Sequence, residues 1–101
     1  MHQTVIALCA AFVITLSTSA HATGRYACEA TDPASWRTPA QLDEKMLADG
    51  WEVRKSKEDG GCYEAYGTTP ESQQVEAYFH PVTLEKLLVA RRGEILFKKG
   101  D

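Results

Sequence analysis

TPAQLDEKMLADGWEVRK, residues Thr38–Lys55, decides the fold, because its hydrophobic period changes part-way through. The first half reads as a helix. Thr38 suits the N-cap, Pro39 the first helical position, and Gln41 completes a T-x-x-Q capping box. Leu42, Met46 and Leu47 make an apolar stripe, while Gln41, Asp43, Glu44 and Lys45 take the other side. Gly50 fits the C′ position, so the pattern predicts a helix from about Pro39 to Asp49. After Gly50 the period becomes two: Trp51-Glu52-Val53-Arg54-Lys55 alternates apolar and charged, as a half-buried strand does.

Outward from that switch the chain continues in strands. Glu58-Asp59-Gly60-Gly61 is a turn, with Asp-Gly as its hairpin signal, and Cys62 to Tyr66 is the return strand. Gly67 to Ser72 is a second polar turn. Gln74 to His80 is a third strand, with Val75, Ala77 and Phe79 on one face and Glu76, Tyr78 and His80 on the other. Pro81 ends it, because proline cannot donate to a sheet ladder. Residues 84–92 fit either a helix, through Leu84, Leu87 and Leu88, or a fourth strand, through Leu87-Leu88-Val89-Ala90; a short apolar run does not separate the two. Gly93 and Glu94 break the pattern before Ile95-Leu96-Phe97, and 98–101 is a polar tail. The expected architecture is α+β: one helix packed on a three- to four-stranded antiparallel sheet, with Trp51, Val53, Val75, Ala77 and Phe79 facing the helix. The other face of the sheet is expected to stay open to water.

Upstream, VIALCAAFVITL (Val5–Leu16) is twelve residues without a charge. It is shorter than the roughly 20 apolar residues that span a membrane and suits the core of an export signal. Ala20-His21-Ala22 has the form of a signal-peptidase site, so 1–22 is expected to be cleaved and the protein to be periplasmic, with no stable membrane insertion afterwards. Residues 23–37 form an extended lead-in segment, and 38–97 the folded domain. Cleavage of the first 22 of 101 residues leaves 79, and the whole net charge of −3 lies in that mature part. A mildly acidic domain this small argues against nucleic acid as a partner.

Cleavage also removes Cys9, leaving Cys28 and Cys62, whose only mutual pairing is one disulfide. Small exported domains commonly need such a staple. Strand alternation raises a conflict: if Tyr63 and Ala65 face the helix, Cys62 faces away. Either the bond sits at the edge of the sheet or a bulge near Gly61 shifts the alternation.

Catalytic chemistry finds little to work with. His80 is the one histidine left after cleavage. A zinc site usually takes three or four ligands, and a Ser-His or Cys-His pair would have to use His80 as well. No cofactor or metal is implied. The residues expected on the open face, Glu52, Arg54, Glu64, Glu76 and Tyr78, together with His80, make a candidate partner surface, since tyrosine is enriched at interfaces.

Three segments then suggest a family. Asp49-Gly50-Trp51-Glu52-Val53, Asp59-Gly60-Gly61-Cys62-Tyr63-Glu64-Ala65-Tyr66 and Val75-Glu76-Ala77-Tyr78-Phe79-His80-Pro81-Val82-Thr83 together resemble a small exported PepSY domain. Two positions depart from the family pattern: His80 stands where the family usually has Asp, and Leu84 where it has Gly. The resemblance implies a helix on an antiparallel sheet, tips residues 86–90 towards a strand, and brings no catalytic residues. Peptidase propeptides of this kind inhibit an attached protease or assist its folding. By analogy, the expected function is a non-enzymatic periplasmic protein-binding or regulatory module acting on a protease, a sensor or a membrane redox protein. The alternative is a small-ligand or metal carrier using the carboxylate and tyrosine face.

Overall fold

A computed structural model describes residues 26–100. The expected export signal, residues 1–22, lies outside the described residues.

The helix α1 spans Pro39–Ala48. Both halves of its capping box form: Gln41 N donates to Thr38 Oγ1 at 3.1 Å, and Thr38 N to Gln41 Oε1 at 2.8 Å. Its far end closes as a Schellman motif. Gly50, at φ +92°, donates to Leu47 O, and Trp51 N donates to Met46 O. The two bonds satisfy carbonyls that the helix leaves without an internal partner. Leu42 and Met46 are buried, but Leu47 is 62% exposed. Leu47 lies five residues beyond Leu42, about 140° round the helix, and so falls off the stripe it was expected to share.

Five strands follow: β1 (Glu52–Asp59), β2 (Cys62–Thr68), β3 (Gln74–Phe79), β4 (Lys86–Arg91) and β5 (Glu94–Lys98). They form one antiparallel meander in the order β1-β2-β3-β4-β5. The expected count of three to four is therefore low. Residues 86–91 are strand, and Ile95-Leu96-Phe97 forms a fifth strand together with Glu94 and with Lys98, which was expected in the polar tail. Between β1 and β2 only Gly60 and Gly61 turn the chain, both with positive φ. This is the two-residue hairpin that an Asp-Gly signal favours, and Asp59 belongs to β1, not to the turn.

The core lies between α1 and one face of the sheet. Leu42, Met46, Trp51, Tyr63, Ala65, Val75, Ala77, Phe79, Leu84 and Val89 form it, with Val53 and Trp36 packed against it. All five residues expected to face the helix do so. Trp36 meets Tyr63 edge to face with ring centroids 5.4 Å apart, and the Tyr63 hydroxyl donates to Arg37 O at 2.6 Å.

The opposite face is not open. A second cluster of Cys62, Tyr78, Leu87, Leu88 and Ala90 is covered by Tyr26 and Cys28. Cys28 bonds to Cys62, with a Cα–Cα distance of 5.3 Å, and Cys28 N donates to Gly60 O at 2.8 Å. The lead-in segment thus crosses the back of the sheet as a strap, then passes round the hairpin end to place Trp36 on the helix side. This resolves the conflict over Cys62. The β1–β2 register runs without a shift from Lys55 to Asp59, so no bulge at Gly61 turns the cysteine. Cys62 points away from the helix because its partner lies there.

Candidate functional site

The back face is built by cross-strand pairing. Glu64 of β2 lies opposite Lys57 of β1 and Tyr78 of β3, and Tyr66 lies opposite Lys55 and Glu76. Period-two alternation puts Lys57, Asp59, Cys62, Glu64, Tyr66, Glu76 and Tyr78 on this one face. The Tyr78 hydroxyl donates to Asp59 Oδ2 at 2.8 Å. Lys57 Nζ stands 3.8 Å from Glu64 Oε1. The Tyr78 ring stacks at a tilt beneath Tyr26 of the strap, with centroids 6.2 Å apart.

The electrostatics follow from burial. Glu64 and Tyr78 are wholly buried and Asp59 nearly so. Loss of water pushes the Glu64 carboxyl up to about 7; the hydrogen bond with Asp59 and the Glu76 charge push the same way, against a hydrogen bond from Tyr66. Burial and the neighbouring Glu64 charge push Tyr66 up to about 12. A carboxyl near neutrality is what acid–base chemistry requires, but the Glu64 side chain is fully buried in this structure.

The candidate partner residues therefore separate. Glu64 and Tyr78, expected on an open surface, are interior, and Tyr26 and Cys28 of the strap pack on the cluster that holds Tyr78. Glu76 is half-buried. Glu52 and Arg54 are exposed at the other end of β1. Arg54 occupies the irregularity in the β1–β2 register between Val53 and Lys55 and lines a depression of about 500 Å³ with Tyr66, Glu76, Arg91 and Arg92. Lys55 Nζ lies 5.4 Å from the centre of the Tyr66 ring and Lys57 Nζ 5.8 Å. His80 sits apart, in the turn after β3, where its Nδ1 accepts hydrogen bonds from Val82 N at 3.1 Å and Thr83 N at 3.3 Å. Residue-level reading missed Asp59, Lys57 and the strap. The parity of Cys62 was the available signal, since a cysteine facing away from the helix requires its partner on that side.

Two further features lie on the helix side. A groove of about 530 Å³ runs between α1 and β5, lined by Met46, Trp51, Phe79, Val89, Leu96 and Phe97 among others. Lys86 Nζ stands 4.4 Å from the centre of the Phe97 ring. Among the described residues no group of three or more His, Cys, Asp or Glu side chains is placed to hold a metal, and no helix is long and apolar enough to cross a membrane.

A family model described as "Peptidase propeptide and YPEB domain" matches residues 6–88, most of the chain. The chain belongs to the PepSY family. Comparison with curated proteins and with solved structures gave no significant match. Within a PepSY domain the two departures acquire structural meaning. His80 takes over the turn-capping geometry that an aspartate carboxylate supplies. Leu84 adopts φ +63°, the left-handed conformation that glycine occupies without strain.

Proposed function

We propose that this PepSY domain is a non-enzymatic, exported regulatory module that binds a protein partner, in the manner of a propeptide that modulates a protease. The family match over residues 6–88 carries the reading, through its peptidase-propeptide membership. The burial of Glu64 supports it, since among the described residues the carboxyl whose acidity is strongly shifted is buried rather than exposed at the surface. Export to the periplasm rests on the apolar run Val5–Leu16 and the Ala20-His21-Ala22 motif. The Cys28–Cys62 bond fits an oxidising compartment.

The partner surface is the exposed part of the back face. Glu52, Arg54 and Glu76 remain from the sequence reading, and Tyr66, Arg91 and Arg92 extend it around the depression. Five cations, Arg54, Lys55, Lys57, Arg91 and Arg92, gather here on a protein of net charge −3, which favours an acidic patch on the partner. The carrier alternative needs accessible carboxylates and tyrosines, and the burial of Glu64 and Tyr78 leaves it without support.

The test is retention of periplasmic proteins, proteases foremost, on the immobilised domain, together with hydrolysis rates of those proteases in its presence. Charge reversal by Arg54→Glu with Arg91→Glu is expected to cut retention at least tenfold with unchanged circular dichroism. If the wild type retains nothing and alters no hydrolysis rate, or if the reversal changes neither, the reading fails.

A further inference from the structure

Two holds on the strap meet at one cross-strand pair. Asp59 and Cys62 are partners at the end of the β1–β2 hairpin. Cys62 grips the strap directly, through its bond to Cys28. Asp59 grips it at one remove. It accepts from the Tyr78 hydroxyl at 2.8 Å, and the Tyr78 ring meets Tyr26 of the strap. The strap backbone rests on the same hairpin: Cys28 N donates to Gly60 O, and a Cβ on Gly60 would stand 2.9 Å from Tyr26 O. Tyr26 and Cys28 pack on the back-face cluster and not on the helix-side core, so the strap is built to lift while α1 stays packed.

Beside Asp59 lies a second buried carboxyl. Lys57 pairs with Glu64 and Asp59 with Cys62, which makes Asp59 and Glu64 diagonal neighbours on one face. Ionised carboxylates only accept hydrogen bonds, so the hydrogen bond between these two requires one proton. Without it, two buried negative charges stand side by side and repel. We propose that a proton shared by Asp59 and Glu64 locks the strap onto the hairpin, and that its loss lets the strap lift and uncover Tyr78, Leu87 and Leu88. The device lies within the chain itself and stands whether or not a partner binds elsewhere on the back face.

The groups around Glu64 set the direction of the switch. From β1, Lys57 Nζ stands 3.8 Å from Oε1 and favours the ionised form. Tyr66 on β2 favours it too, by donating a hydrogen bond, whereas Asp59 on β1 and Glu76 on β3 oppose it. Tyr78 on β3 lies directly opposite, and the strap brings the Tyr26 ring onto Tyr78. Burial is the largest effect, and the closed site keeps its proton up to about 7, against an ordinary value of 4.5. Lifting the strap frees Tyr78 and Asp59 and gives the carboxyl pair to water. Opening therefore releases a proton, and it is promoted as pH rises between those limits and levels off above them.

Amide exchange followed by nuclear magnetic resonance from pH 5 to pH 8 tests this on the disulfide-bonded protein, with protection factors that divide out intrinsic base catalysis. The Cys28 amide is expected to lose about tenfold of its protection or more across that range, while staying less protected than the amides of α1. Glu64→Gln donates to Asp59 at every pH and is expected to hold Cys28 protection constant. Tyr78→Phe leaves the carboxyl pair in place but cuts its link to the strap, so Cys28 protection is expected to be lower and no longer to vary with pH. Far-ultraviolet dichroism checks that each variant is folded, and the wild-type profile decides the matter even where a variant is not. Cys28 protection that does not vary with pH in the wild type overturns the proposal. So does exchange at Cys28 no faster than on α1, which marks global unfolding, or a pH dependence that survives in either variant.

Discussion

At the turn after β3 an imidazole nitrogen stands in for a carboxylate oxygen. His80 Nδ1 accepts from Val82 N and Thr83 N, which only the unprotonated nitrogen of the ring can do. His80→Ala leaves both amides to water and is expected to lower stability by about 1 kcal/mol, whereas His80→Asp restores an acceptor and is expected to stay near wild type; urea midpoints separate the two. At Leu84 two effects oppose one another. Its left-handed backbone costs about 1 kcal/mol, while its side chain is buried in the core, where truncation costs about 3 kcal/mol. Burial outweighs strain, so Leu84→Gly is expected to destabilise by about 2 kcal/mol despite restoring the family's residue. Glu64 gives the protein a pH dependence. In the folded domain it holds its proton up to about 7, against an ordinary value of 4.5. Folding therefore takes up a proton between those limits, and stability falls as pH rises through that window. Melting temperatures at pH 5 and pH 8 are expected to show this decline, and Glu64→Gln to flatten it.

Elements differ in how plainly their sequences announce them. The helix was legible to within a residue at both ends, because its caps are made by short-range bonds among Thr38, Gln41, Gly50 and Trp51. β4 was not, since Leu87 to Ala90 are all buried: both faces of the sheet are covered there, and the alternation that marks a half-exposed strand disappears. β5 was missed for the converse reason. It is exposed on every residue and interrupted by a bulge, so no period survives in five residues. The hairpin turn has a constraint of its own. Gly61 has φ +83°, and a Cβ there would stand 2.9 Å from Cys28 O on the strap. Gly61→Ala is expected to cost more than the roughly 1 kcal/mol of backbone strain alone, with slower formation of the Cys28–Cys62 bond in thiol-trapping experiments.

Across the whole molecule, the largest gap between sequence and structure was the back face. The compositional logic of a one-helix, one-sheet domain predicts a wet second face, and nothing in residues 26–32 has a period that says otherwise. Only the disulfide implied a cover, and it did so through the orientation of one side chain. Because that cover is held by a single cross-link, the bond carries much of the stability. Reduction is expected to cost about 3–4 kcal/mol by the loop-entropy argument, read as a shift of the urea midpoint with reductant. Amide exchange at Cys62, Glu64 and Tyr78 is expected to rise more than exchange on α1.

The strand order has a kinetic consequence. Each strand pairs with its immediate successor along the chain, so the sheet assembles from hairpins without closing a long loop, and topologies of low contact order fold fast. The strap is different: its cysteines are 34 positions apart, and its docking ground, the aligned β2 and β3, exists only after the sheet has zipped. The reduced chain is expected to acquire its tryptophan fluorescence change in milliseconds, well before thiols are lost in stopped-flow trapping. Oxidation then acts as a latch on a finished sheet rather than a guide to its assembly, and a chain delivered to a reducing compartment would reach the same meander and leave its back door unbolted.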